Sequence, residues 1–500
     1  MIVGLLCRSD VLLFVVVSLP FVCSALIMAL KRLSHSQEAL STVASLVLFP
    51  TTCALYFALQ GNPAILQYRL SSAILFILEP EALGIVFGIL VSFLWAVTNI
   101  YTIGYMNKVY GKLQDRSVFY SCFAASIGCT IGIAFAGNLV TLFIFYEMLT
   151  VCTYPLIIHG GSKDSIASGS FYIKTLLCSS VFLFLPAIAI ICGMSDGAGL
   201  FSAKSFISET HPSLLPFIVT MLCYGVAKAA IMPVHLWLPR AMVAPTPVSA
   251  LLHAVAVVKS GVFTLIKITV CAIGVHGMYN YYNAPVAVDV APHHNIMLYL
   301  SVVTIIVGSV FAVTQKNLKR LLAYSTISQL SYITLALSMF TDGAVTAAVF
   351  QMVCHAFAKI TLFFAVGAVY AASGKTTIRD IDGLGRVMPI TFTAFCIGAL
   401  AMIGIPPAAT FWGKFYIITE ALKQQNYIVI FTVALSTVLN TLYFIPLMYR
   451  VFFAADATCA GRVKEEAPPL ILLAMLVSST CTILLFLKPD IVLGMLSVFG

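Results

Sequence analysis

The chain has 500 residues, of which 61% are hydrophobic and only 9% charged, and its mean hydropathy is +1.04. Soluble chains carry about 25% charged residues, so a water-soluble domain of this size is excluded. The net charge is +9, and the 14 cysteines stand singly with no CxxC pair, no Walker loop and no GxGxxG after a strand pattern. No metal, iron–sulfur or nucleotide cofactor site is therefore expected.

Apolar windows of about 20 residues recur along the whole chain, and each is long enough to cross a bilayer as helix. About fourteen begin near Val11, Leu40, Leu83, Phe119, Leu139, Ile166, Leu214, Val248, Ile296, Leu321, Val345, Pro389, Tyr427 and Pro468. They predict an all-α polytopic membrane protein. The first, "VLLFVVVSLPFVCSALIMAL", is long enough to span and ends in Lys31-Arg32, which predicts a retained helix with a cytoplasmic stop.

Cations concentrate in every second loop. With the first helix running inward, one side holds Lys31, Arg32, Lys108, Lys112, Arg116, Lys163, Arg240, Lys316, Lys319, Arg320, Lys375, Arg379, Arg386, Arg462 and Lys464. The other side holds only Arg8, Arg69, Lys204, Lys423 and Lys488. This positive-inside pattern predicts both termini on the outer side and explains the basic charge with no nucleic-acid partner.

Some ionisable residues fall inside the windows, where each costs about 2.5–3.5 kcal/mol on insertion scales. In "TLFIFYEMLTVCTYPL" the acid is Glu147, with Thr150 and Tyr154 on its helical face. That face is expected to look into the bundle, either as a helix–helix hydrogen bond or as a proton or cation site. Lys228 and His235 lie in "CYGVAKAAIMPVHLWLPRA", where Pro233 predicts a helix broken within the membrane. Lys259 follows His253 by six residues in "SALLHAVAVVKSGVF", placing the two on different faces. Ser325, Ser328, Gln329 and Tyr332 share one face of "LLAYSTISQLSYI", suited either to gluing helices or to holding a water chain. His355 and Lys359 stand at i, i+4. Lys414 follows Pro406-Pro407 in "GIPPAATFWGKFYII", a second helix break in the second half. Lys174 and Lys267 lie nearer span ends, where snorkelling competes with a buried role, and Arg450 is expected to anchor its span in the cytoplasm. Two interrupted apolar helices, one per half, are the pattern of a pseudo-symmetric transporter.

Three segments, "KAAIMPVHLWLPRAMVAPTPVSALLHA", "QKNLKRLLAYSTISQLSYI" and "CHAFAKITLFFAVGAV", resemble the antiporter-like subunits shared by respiratory complex I, Mrp-type cation/proton antiporters and membrane-bound hydrogenases. The resemblance runs from about Ser117 to Tyr449. It implies two inverted five-helix repeats, about 117–272 and 295–454, each with a broken helix. They form a conducting core at 117–454, flanked by N-terminal helices at 1–116 and a C-terminal helix at 455–500. It also implies a proton path through Glu147, Lys228, Lys259, His355, Lys359 and Lys414, supported by His253, His235, Ser325, Ser328 and Gln329. The close of the chain soon after the last span, and the His and Lys together in "LLHAVAVVKSGVF", look most like the D-type member of an Mrp complex in a bacterial plasma membrane. The implied partners are other hydrophobic subunits, the bilayer, H+ and Na+ or K+. A membrane-arm subunit of an NADH:quinone oxidoreductase and a non-conducting scaffold are the alternatives.

Overall fold

The computed structural model describes residues 9–31, 36–69, 75–111, 116–194, 199–201, 214–283, 295–454 and 465–497. Arg8, Arg32, Lys112, Lys204, Arg462 and Lys464, counted above among the loop cations, lie outside the described residues. Fourteen membrane-crossing elements follow in order. They are α1 (Ser9–Ala29), α2 (Ser36–Leu59), α3 (Ala82–Val109), α4 (Ser117–Ala134), α5 (Leu139–Ile157), α6 (Lys163–Met194), α7, α8 (Thr246–Ile273), α9 (Ile296–Val313), α10 (Leu318–Leu337), α11 (Asp342–Ser373), α12, α13 (Tyr427–Phe453) and α14 (Pro469–Leu487). Two are interrupted: α7 runs over Leu215–Gly225 before a 3-10 turn at Ala227–Ala229, and α12 consists of Pro389–Ile403 and Thr410–Lys423.

Each break is the fourth element of five, in α4–α8 and in α9–α13. Five crossings per repeat return the chain to the opposite side, so the second repeat begins inverted with respect to the first. The windows predicted from hydropathy all become helices. The departure from an all-α fold is a hairpin, Leu66–Arg69 against Leu75–Leu78, between α2 and α3. Strands of four residues are too short to stand out from the apolar windows beside them. This hairpin is tied to the bundle where Gly137 N–H donates to the Ile77 carbonyl at 2.9 Å.

Burial sorts the helices into a core and a rim. Every residue of the most apolar stretch of α11 is buried, and 94% of that of α8, against 33% for α1 and α2. The rim helices turn Phe14, Val43 and Phe57 outward, as a lipid-facing surface requires. α10 is too polar to qualify as a span by hydropathy, yet from Ser325 to Leu337 it is wholly buried. It is surrounded by protein, and that surrounding satisfies its hydroxyls and amides. The lysines and histidines of α8 and α11 thus sit on the most enclosed helices, where no route to the surface exists for snorkelling.

A buried polar axis as the candidate functional site

The first station lies where α5 meets the break of α7. Lys228 is fully buried, and its ammonium sits 3.2 Å from the centre of the Tyr146 ring. That ammonium donates to the Tyr146 carbonyl, and the Lys228 N–H donates to the Tyr146 hydroxyl at 3.2 Å. Glu147 is next in sequence, and both of its carboxylate oxygens are buried without a hydrogen-bond partner among the described residues. Its electrostatic neighbours are Lys228 and Ser180. Ser180 opens a π-helical turn, Ser180–Phe184, inside α6; such a widened turn re-aims side chains and recurs at functional sites. Tyr146, which the sequence pattern does not single out, therefore holds the lysine that Glu147 is expected to hold.

α8 presses directly on that station. A Cβ added at Gly261 would lie 2.3 Å from the Ala229 nitrogen and 2.4 Å from the Lys228 carbonyl carbon, so only glycine allows this approach. One turn away, the Lys259 ammonium donates to the Met352 carbonyl at 2.8 Å and meets His355 Nδ1 at 2.7 Å. With Lys259 as donor, His355 accepts at Nδ1 and carries its ring proton at Nε2, an atom that is buried and unpartnered. His253 lies in a second π-helical turn, Leu251–Val255, and pairs Nδ1 with the Thr326 hydroxyl at 3.0 Å. Its Nε2 is likewise unpartnered. His253 and Lys259 do point to different neighbours, yet His253, Lys259 and Lys359 all act electrostatically on His355.

From Lys359 onward the axis is continuous. Lys359 donates to Ser325 Oγ at 3.0 Å and to the Leu322 carbonyl at 3.3 Å. The Tyr443 hydroxyl bridges Ser325 at 3.2 Å and Asn440 Oδ1 at 2.5 Å. Asn440 Nδ2 donates to the Met402 carbonyl at 3.3 Å, which also receives Gln329 Nε2 at 3.2 Å and the Lys414 ammonium at 3.5 Å. Lys414 donates in addition to the Ile403 carbonyl at 2.7 Å and to Thr437 Oγ1 at 3.2 Å.

The break in α12 explains that convergence. Met402 and Ile403 would bond the N–H groups four residues on, but those residues are Pro406 and Pro407, which have none. Two carbonyls at the negative end of a half-helix are left for side chains.

Other expected residues fall elsewhere. Ser328 bonds Ser309 at 2.8 Å and so joins α10 to α9. His235 is buried beside Tyr324, with ring centres 6.4 Å apart, and no hydrogen bond joins it to Lys359 or Lys414. Lys174 is exposed. Lys267 does not snorkel: it is fully buried and paired with Glu81 at 3.0 Å. Arg450 makes a two-pronged bond to Asp382, both contacts at 2.8 Å. Among the described residues no group of His, Cys, Asp and Glu is placed to hold a metal ion.

A cavity of about 220 Å³ at the loop end of α8 and α10 is lined by Tyr105, Thr246, Lys319 and Lys375 among others. Lys319, counted from sequence as a loop cation, bonds inward there to the Met242 and Ala244 carbonyls at 3.2 and 2.5 Å. It acts electrostatically on His253.

Residues 136–440 match the family described as NADH:quinone oxidoreductase/Mrp antiporter, transmembrane. The chain belongs to that family. Subunit 5 of a chloroplast NAD(P)H-quinone oxidoreductase from Lemna minor is 32% identical over 347 residues, which cover 67% of this chain and 44% of that protein. A probable K(+)/H(+) antiporter subunit of the A/B kind from Rhizobium meliloti is 29% identical over 92% of this chain and 45% of its own length. The chain thus spans about half the length of these curated relatives. Two solved structures share the fold. One chain of the membrane-bound sulfane sulfur reductase, an archaeal respiratory membrane complex, superposes with a TM-score of 0.82 at 23% identity, covering 97% of this chain and 96% of that one. One chain of the Mrp complex from Dietzia gives 0.83 at 18% identity, covering 98% and 96%. The fourteen-element bundle with its two breaks is therefore the fold of this membrane family.

Proposed function

We propose that this protein is a proton-translocating subunit of a multi-subunit monovalent cation:proton antiporter, working beside other hydrophobic subunits. Protons pass from Glu147 and Lys228 by way of Lys259, His355 and Lys359 to Lys414. The observation that carries this proposal is the unbroken hydrogen-bonded series Lys359–Ser325–Tyr443–Asn440–Met402–Lys414, fully enclosed by protein. Ammonium, hydroxyl and amide groups in direct contact are able to pass a proton by successive exchange, which apolar packing cannot do. Lys228, on a flexible stem, has two acceptors on consecutive residues, the Tyr146 carbonyl and the Glu147 carboxylate. Its movement between them would gate the first station. The cavity beside Lys319 is the access route from the cytoplasm.

Loop cations among the described residues, including Lys31, Lys108, Lys163, Lys316 and Lys375, support an orientation with both termini outside a bacterial plasma membrane. The relative that is a K(+)/H(+) antiporter subunit supports exchange of Na+ or K+. The test is a Glu147→Gln variant in everted vesicles, read by dequenching of a pH-sensitive dye on adding Na+ or K+. Exchange should disappear while the protein still assembles, and wild-type exchange would remove Glu147 from the path.

The identity to Lemna minor subunit 5 favours a second reading, the membrane arm of an NADH:quinone oxidoreductase. There, proton movement would require NADH and stop with a quinone-site inhibitor, whereas cation exchange needs neither.

A further inference from the structure

The oxygens around Lys414 have a composition that proton relay alone does not call for. Two are backbone carbonyls, Met402 and Ile403, freed by Pro406 and Pro407 at the negative end of a half-helix. A third is Thr437 Oγ1, which donates its own hydrogen to the Val433 carbonyl at 2.9 Å and so turns lone pairs toward the ammonium. The Tyr332 ring lies 5.0 Å from the Lys414 nitrogen, and its hydroxyl is buried and unpartnered. Lys414 has no ion-pair partner among the described residues, and neutral oxygens alone surround its charge. The floor is Gly404, at φ +88°, where a Cβ would fall 2.8 Å from Lys414 Cδ and 3.2 Å from Nζ.

We propose that this cage of carbonyl and hydroxyl oxygens at the break of α12 is a monovalent-cation site, held in this structure by the Lys414 ammonium and taken by a Na+ or K+ ion when that side chain withdraws. An ammonium group and an alkali ion ask for the same thing, several oxygens pointing inward around one positive charge. With no carboxylate in the cage, a divalent ion lacks the ligands it prefers. Half-helix carbonyl ends of this kind bind alkali ions in transporters. The site deepens the proposed reading of Lys414 as one end of the axis by giving the exchanged cation a place there. Lysine and cation would exclude each other, which couples the movement of one to that of the other.

The experiment uses the purified full chain. Lys414→Met keeps the apolar stem over Gly404 and Tyr332 while removing the ammonium; Lys414→Gln keeps a donor for the carbonyls and serves if the methionine variant does not fold. Melting temperature is followed in NaCl, KCl and choline chloride at equal ionic strength, together with equilibrium binding of 22Na+. The expected result is saturable stabilisation by an alkali ion over choline, with binding about tenfold or more tighter than in the wild type, a loss of competition worth roughly 1.4 kcal/mol. Adding Thr437→Val should weaken that binding. No alkali effect over choline in the folded variant, or 22Na+ binding equal to the wild type, overturns the proposal. Binding is read here without transport, so its failure leaves proton conduction standing, and a failed exchange assay leaves the site standing.

Discussion

The Lys228 ammonium rests 3.2 Å from the centre of the Tyr146 ring and donates to the Tyr146 carbonyl, one residue short of the unpartnered Glu147 carboxylate. A desolvated cation over an aromatic face gains about 2 kcal/mol, so Tyr146 sets how readily Lys228 leaves for Glu147. Tyr146→Leu removes the ring and hydroxyl but keeps the carbonyl. It should bias Lys228 toward Glu147 and cut proton flux about tenfold or more, since tenfold corresponds to about 1.4 kcal/mol. Tyr146→Phe keeps the ring and should lose less. Dye-monitored flux in vesicles, normalised to folded protein, checks the order. A phenylalanine variant worse than the leucine variant would make the hydroxyl, not the ring, the controlling group.

Gly261 is a second point of control because α8 touches the backbone of the Lys228 turn there. Gly261→Ala places a methyl group where the Ala229 nitrogen and the Lys228 carbonyl carbon now stand, at 2.3 and 2.4 Å. Overpacking of this kind costs about 1–3 kcal/mol. Thermal unfolding in detergent should show a lower midpoint, and flux per folded molecule should fall because the turn carrying Lys228 must shift. Wild-type behaviour in both assays would mean that the two elements stand further apart than described.

Much of this is written in the sequence for a physical reason. A bilayer demands about 20 apolar residues per crossing, so all fourteen crossings are visible there, and both prolines that break α12 can be read as missing donors. Glu147, Lys228, Lys259, His355, Lys359 and Lys414 stand out because charge within apolar runs is costly. What does not stand out is the partner of each charge. Lys228, Lys259 and Lys414 all bond backbone carbonyls, and a carbonyl has no letter in the sequence. Asn440 and Tyr443 carry no charge and give no such signal, although with Ser436 they fall at i, i+4 and i+7, one face of α13. Glu81 begins α3, far along the chain from Lys267, and only tertiary packing brings the two together.

That Lys267–Glu81 pair is lopsided: the lysine side chain is fully buried and the carboxylate is 27% exposed. Removing one partner of a buried pair costs about 3–5 kcal/mol, and the cost falls on whichever charge is left without solvent. Glu81→Gln strands the ammonium, whose remaining bond is to the Ala134 carbonyl at 3.1 Å. It should destabilise toward the lower end of that range. Lys267→Met leaves a carboxylate that reaches water and should cost less. Neither residue belongs to the Lys359–Lys414 series, so flux per folded molecule should stay near wild type in both. Melting midpoints in the reverse order would contradict the burial asymmetry.

Tyr443 is the narrowest link in the series, since its hydroxyl alone joins Ser325, the acceptor of Lys359, to Asn440, which bonds the carbonyl shared with Lys414. Tyr443→Phe deletes one oxygen and keeps the ring, which packs on Phe444 with centres 4.6 Å apart. Asn440 Oδ1 and Ser325 Oγ each lose a partner, for a net cost of about 1–3 kcal/mol, too little to unfold a bundle of this size. Flux, in contrast, should fall by about tenfold or more, because the gap left by one oxygen must be bridged before a proton can cross it. Ser325→Ala, at the other side of the same link, should give a similar loss, and the double variant should lose little beyond either single one. That non-additivity separates a serial wire from two independent packing contacts. Losses that simply multiply in the double variant, or full flux in Tyr443→Phe, would show that protons pass Lys359 and Lys414 by another route.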